Sequence, residues 1–244
     1  MWEGVKQIGE SVRILFNPRE IEEGVDWLKN TEAGKQLIED AQRAGIGFRL
    51  PDGQIIGDPN GRIIPINFGD TGPYGGLYDP DPDGNPEMDD QAIVIADDFL
   101  SRHLMQDKAA LARIIAHEMQ HALDHKQGLT PGIDFEKYLT EVDGKQTLGD
   151  SQQLQQDISK MIEQEVATEV RAYERGDSVE YQNAYEDDGT LTAGEVKRIM
   201  EKKDYQSYYE EWLNDHLDDY GYEVDLWVDD QGNIQTSIRP LQKS

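Results

Sequence analysis

The segment ARIIAHEMQHALDH, residues 112–125, constrains this chain more than any other. It contains His117-Glu118-Met119-Gln120-His121, an H-E-x-x-H motif. On a helix, residues i and i+4 lie one above the other, so the His117 and His121 imidazoles can converge on a single metal ion. Glu118 follows the first histidine, which sets its carboxylate beside the metal's open position, where it can take a proton from water. No Pro or Gly interrupts residues 108–127, and Leu111, Ile114, Ile115, Ala122 and Leu123 form an apolar stripe. This spacing predicts a helix buried against a core, with its polar motif turned to a site.

The flanking pattern predicts an α+β fold. Residues 1–44 read as helical from the spacing of Ile21, Val25, Leu28, Leu37, Ile38 and Ala41, with breaks at Asn17-Pro18 and Gly34. From Gly45, short β-branched runs separated by Pro-Asp-Gly and Pro-Asn-Gly turns predict a small antiparallel sheet. Residues 69–90 read as a loop, and AIVIA at 92–96 as a short apolar strand. A helical stretch from Asp98 to Lys126, broken near Asp107, ends at Gly128 and Pro131. Helical blocks at 151–175 and 192–219 make the C-terminal half mainly helical, and YEVDLWVDDQGNIQTSIRP closes it as a β-hairpin. The organisation expected is an N-terminal helical segment (1–44), a core carrying the motif (45–176) and a C-terminal helical extension with its hairpin (177–244).

A zinc site takes a third protein ligand and keeps a fourth position for water. His125, Glu165, Glu169, Glu174, His103 and His216 are the candidates. His125 is eight residues from His117, about 12 Å along a helix axis, too far for one ion to reach both. An acidic ligand from a later helix fits better, and QEVATEVRAYERGD offers Glu165 and Glu169 at i, i+4. Metal-bound histidines donate their other ring N–H to a carboxylate or carbonyl, a role open to Asp124 or Glu165. Tyr173 is placed either to hydrogen-bond a developing oxyanion or simply to pack. Arg171 reads as a partner for nearby carboxylates.

His117-Glu118-x-x-His121-Ala122-x-Asp124 followed by Glu169-x-Arg171-Ala172 resembles the gluzincin metallopeptidases. The form H-E-x-x-H-A-x-D then E-x-R-A looks most like mitochondrial ATP-synthase assembly peptidases and some bacterial effector or toxin peptidases. The resemblance spans roughly residues 92–175. It implies a zincin-like fold, zinc held by His117, His121 and Glu169, and Glu118 as general base. It also implies a protein or peptide substrate, paired in extended form with a strand edge near the active helix, here AIVIA. Glu165 is the fallback ligand. The mitochondrial members carry cysteines near the second motif and this chain has none. An inhibitor or immunity partner is left unidentified.

A second constellation sits in an acidic loop. Asp79, Asp81 and Asp83, then Gly84, with Asp90 at position 12, follow a calcium-loop spacing, although Pro80, Pro82 and Pro86 depart from the EF-hand pattern. A weaker echo near Asp188-Gly189 reads instead as a helix cap, with Thr192 and Glu195 at capping-box spacing. With 23 Lys and Arg against 50 Asp and Glu, the net charge is −27. That disfavours nucleic-acid backbones and anionic membrane surfaces as partners. The absence of cysteine excludes disulfides, thiolate metal sites and cysteine nucleophiles. No segment approaches the roughly 20 apolar residues of a membrane span, and the N-terminus carries no secretory pattern. The expectation is a soluble chain, cytoplasmic or exported without a conventional leader.

Overall fold

The computed structural model describes residues 19–71, 74–80, 91–96, 107–130, 132–142, 145–149, 151–187, 190–202 and 205–241. The chain divides into two compact units: residues up to Gln127 with Ala172–Glu186, and Gly128–Arg171 with Asp187 onward.

The first unit begins with helices α1 (Arg19–Asn30) and α2 (Glu32–Ala44). The break between them falls at Thr31, not at Gly34. Thr31 caps α2, its hydroxyl accepting from Gly34 N at 3.0 Å. Gly34 lies inside the helix, in a position that takes glycine because a Cβ there would meet Leu28 O at 2.0 Å. Strands β1 (Ile46–Arg49), β2 (Ile55–Gly57), β3 (Arg62–Gly69), β4 (Gly76–Asp79) and β5 (Ala92–Ala96) form one sheet in the order β2-β1-β3-β5-β4. The sheet is mixed, not antiparallel. β1 pairs antiparallel with β2 but parallel with β3, and β5 pairs parallel with β3 and antiparallel with β4. The Pro-Asn-Gly turn carries the chain around the start of β1 instead of folding it back on β2. Asp58 N donates to Ile46 O and Arg62 N to Gly45 O, both at 2.8 Å. β4 falls within the segment expected to be loop, and AIVIA (β5) is an interior strand, so among the described residues the sheet's edge beside the motif helix is β4.

Helix α3 (Lys108–Lys126) starts at Asp107, whose carboxylate accepts from Ala109 N and Ala110 N. It packs against α1, α2, β4 and β5. Its small residues Ala112, Ala116 and Ala122 let neighbours close in from several sides, so the helix is buried well beyond a single stripe. Ile64, Ile66, Ile93 and Ile95 from the sheet join Ile21, Val25, Leu28, Leu37, Leu111, Ile115 and Met119 in one core. Each such side chain contributes about 1.5–3 kcal/mol relative to exposure. Helix α4 (Ser151–Glu180) runs through both units. Its last turns belong to the first unit: Arg113 bridges Asp177 at 2.8 Å, and Trp27 Nε1 donates to Val179 O at 3.2 Å.

The second unit holds a short 3-10 turn (Phe135–Tyr138), a hairpin of β6 (Leu139–Val142) and β7 (Lys145–Leu148), and the first part of α4. The hairpin has no counterpart in the sequence reading, and α4 runs five residues beyond the expected Arg175. The 192–219 block is two helices, α5 (Ala193–Lys202) and α6 (Tyr205–Leu217), then a 3-10 turn. The Thr192–Glu195 box forms as expected, Thr192 N donating to Glu195 Oε2 at 2.8 Å and Glu195 N to Thr192 Oγ1 at 3.3 Å. The terminal hairpin is β8 (Tyr222–Val228) with β9 (Ile234–Pro240). A two-stranded ribbon exposes backbone on both edges. α6 meets this with Gln206, Glu210 and Asn214, one per turn. Gln206 donates to Leu226 O, Glu210 accepts from Leu226 N, and Asn214 bonds both backbone groups of Val224.

Among the described residues, no helix is long and apolar enough to cross a membrane. Residues 1–18, His103 and the Asp81, Asp83 and Asp90 positions of the calcium spacing lie outside the described residues, as does the Asp188-Gly189 pair. Asp79 is the last residue of β4, opposite Ala92.

Candidate metal centre

The two motif histidines stand one turn apart on α3. His117 is 8% exposed and His121 is half-buried. Their rings meet edge to face, 4.7 Å between centroids, and turn both Nε2 atoms to the same point, 3.1 Å apart. Two nitrogens held by one zinc at tetrahedral angles lie about 3.3 Å apart. The pair is therefore spaced as two ligands of one ion. Glu169 on α4 supplies the third donor: one atom each from His117, His121 and Glu169 lie within 4.8 Å of one another. Two imidazole nitrogens and a buried carboxylate are a donor set suited to zinc.

Supporting contacts fix these side chains. Tyr173, one turn after Glu169, packs its ring 4.6 Å from that of His117. Tyr205, the first residue of α6, donates its hydroxyl to Glu169 Oε1 at 2.6 Å. Tyr205 stacks on Tyr209, whose phenol is pushed upward by burial and then by the charges of Glu165 and Glu169. Nothing in the local sequence around Tyr205 marks it, because only the fold brings it to a residue 36 positions away. Among the described residues Glu165 is not part of the donor group.

Glu118 is 5% exposed and lies against the sheet's edge strand. A Cβ on Gly76 of β4 would fall 2.8 Å from Glu118 Oε1 and 2.7 Å from Ile114 Cγ2. Glycine at 76 is what lets the edge-strand backbone lie flat over this carboxylate. His125 belongs to a different set of contacts. Its Nδ1 is 2.7 Å from the Tyr78 hydroxyl and 3.1 Å from Gln91 Nε2, which ties the end of α3 to β4 and the start of β5. His216 bonds Trp212 O and stacks on Phe135, and Glu174 is exposed; among the described residues neither joins the donor group.

Asp124, expected as a partner for a ligand histidine, is engaged in a buried network. Asp124 Oδ1 accepts from Gln120 Nε2 at 2.8 Å, and Gln120 Oε1 accepts from Arg175 Nε at 3.1 Å. Arg175 then bridges Asp40 at 2.8 Å and lies 3.6 Å over the Tyr185 ring. Burial pulls the guanidinium down from its ordinary value, opposed by Tyr185, Asp40 and Asp124.

No family model, curated protein or solved structure matches the chain. The site's chemistry therefore rests on its own residues.

Proposed function

We propose that this chain is a zinc-dependent peptide hydrolase of the gluzincin type. The observation that carries the reading is the donor group itself: His117 and His121 Nε2 atoms 3.1 Å apart, with a Glu169 carboxylate oxygen beside them. Zinc, when bound, supplies Lewis acidity toward a scissile carbonyl and makes a water more acidic. The chain's own residues do the rest. Glu118 takes the proton of the attacking water on its carboxylate and passes it to the leaving amine nitrogen. The β4 edge, with Gly76 pressed on Glu118, offers backbone N–H and C=O groups to an extended peptide. That mode of binding is tolerant of sequence, and the net charge of −27 favours neutral or basic polypeptides over acidic ones.

Glu118→Gln tests the chemistry, because it keeps the size and hydrogen-bonding shape of the side chain and removes its basicity. With zinc loaded to the same level, the variant is expected to cleave an unstructured basic protein 10²–10⁴-fold more slowly, roughly the contribution of a general base. Fragments are followed by mass spectrometry. Cleavage by Glu118→Gln at the unaltered rate would contradict the assignment.

A further inference from the structure

We propose that Tyr205 is a positioning residue for the metal, one that commits Glu169 to binding through a single oxygen; this rests on the zinc reading above. Tyr205 comes from α6 and donates its hydroxyl to Glu169 Oε1 at 2.6 Å. Hydrogen bonds from O–H donors to an ionised carboxylate are short and among the stronger neutral–charged contacts. A carboxylate oxygen that accepts such a bond gives up donor strength toward a cation. The bond therefore makes the two Glu169 oxygens inequivalent and leaves Oε2, a buried atom, the better donor.

The phenol is itself held in place. Its ring stacks on Tyr209, 5.8 Å between centroids and 26° between planes, and Tyr208 meets Tyr209 edge-on at 5.3 Å. Glu169 is only 8% exposed, so water does not compete freely for its oxygens. One-oxygen binding has a chemical consequence. With two histidines it gives three protein donors and keeps the fourth tetrahedral position open, the arrangement of a catalytic zinc site. Two-oxygen binding would fill that position or raise the coordination number. Tyr205 thus acts through Glu169 on the number of positions left for water and substrate. Partners of this kind orient ligands, and their loss costs about 10–100-fold in metal affinity.

Tyr205→Phe removes the hydroxyl alone and keeps the ring stack. The full-length chain is stripped of metal, then titrated with zinc against a chromophoric chelator, and separately with cobalt(II), whose visible absorption reports coordination number. The exposed Tyr208→Phe is the control for loss of a nearby hydroxyl. Tyr205→Phe is expected to bind zinc about 10–100-fold more weakly and to give a weaker cobalt absorption as the coordination number rises, with its metal-free melting temperature lowered only by the loss of one hydrogen bond to a buried carboxylate. Tyr208→Phe is expected to match wild type in all three. Zinc affinity and a cobalt spectrum identical between Tyr205→Phe and wild type would overturn the inference while leaving the zinc reading intact. A wild-type chain that takes up no more zinc than His117→Ala/His121→Ala would overturn the zinc reading and this inference with it.

Discussion

Helix α3 carries two polar pairs at the same spacing, one buried and one half-buried, and they are completed in opposite ways. Gln120 and Asp124 stand four apart, as do His117 and His121. The first pair ends on Arg175, a permanent cation that also meets Asp40 and the Tyr185 ring, so that cluster carries its own positive charge. The second pair ends on a carboxylate, Glu169, and none of these three side chains is itself a permanent cation. A buried cluster that neutralises itself holds elements together. A buried cluster that gathers donors around one point is suited to taking up a cation. The two sets share a helix and differ in what α4 adds to each: Arg175 to one, Glu169 to the other.

The closed cluster is the one whose disruption should cost most stability. Arg175→Met removes the buried guanidinium from Gln120 and from Asp40, and although Asp40 keeps its exposed partner Arg43, the loss should approach the lower end of the about 3–5 kcal/mol that breaking a buried ion pair costs. Urea unfolding of the metal-free chain is the measurement. A loss well under 1 kcal/mol would show that the cluster does not hold α4 to α3.

A third polar cluster, at the surface, sharpens the contrast at the small end. Asp229 in the β8–β9 turn accepts from the Asn233 side chain and backbone, from Gln231 N and from Gln235, which holds its carboxyl below the usual 3.8. A depressed carboxyl contributes stability that is fully present above its unfolded value and is lost as pH falls through the folded value. Asp229→Asn should therefore lower the melting temperature slightly and evenly at neutral pH. The difference from wild type should close only below pH 3.8. A difference that stays constant through the acid range would show that the charge plays no part.

Features legible in the sequence were those with local causes. The H-E-x-x-H helix, the Thr192–Glu195 box and the terminal hairpin all follow from spacings within a few residues. The direction of β3 was not legible, since the turn before it resembles a hairpin turn and only the pairing with β1 decides the outcome. β4 was hidden because Gly76 suits a loop as well as an edge strand pressed on Glu118. At the site, the histidines and Glu118 were readable from one helix, and the choice between Glu169 and Glu165 needed the face of α4. Tyr205 and the Arg175 network were invisible, because their partners are 36 and 55 residues away or further.

The metal content of the purified chain tests the His117–His121–Glu169 site most directly. Elemental analysis of protein prepared without added metal should find one zinc per chain in wild type and none in His117→Ala/His121→Ala. Equal zinc in the two proteins would contradict it.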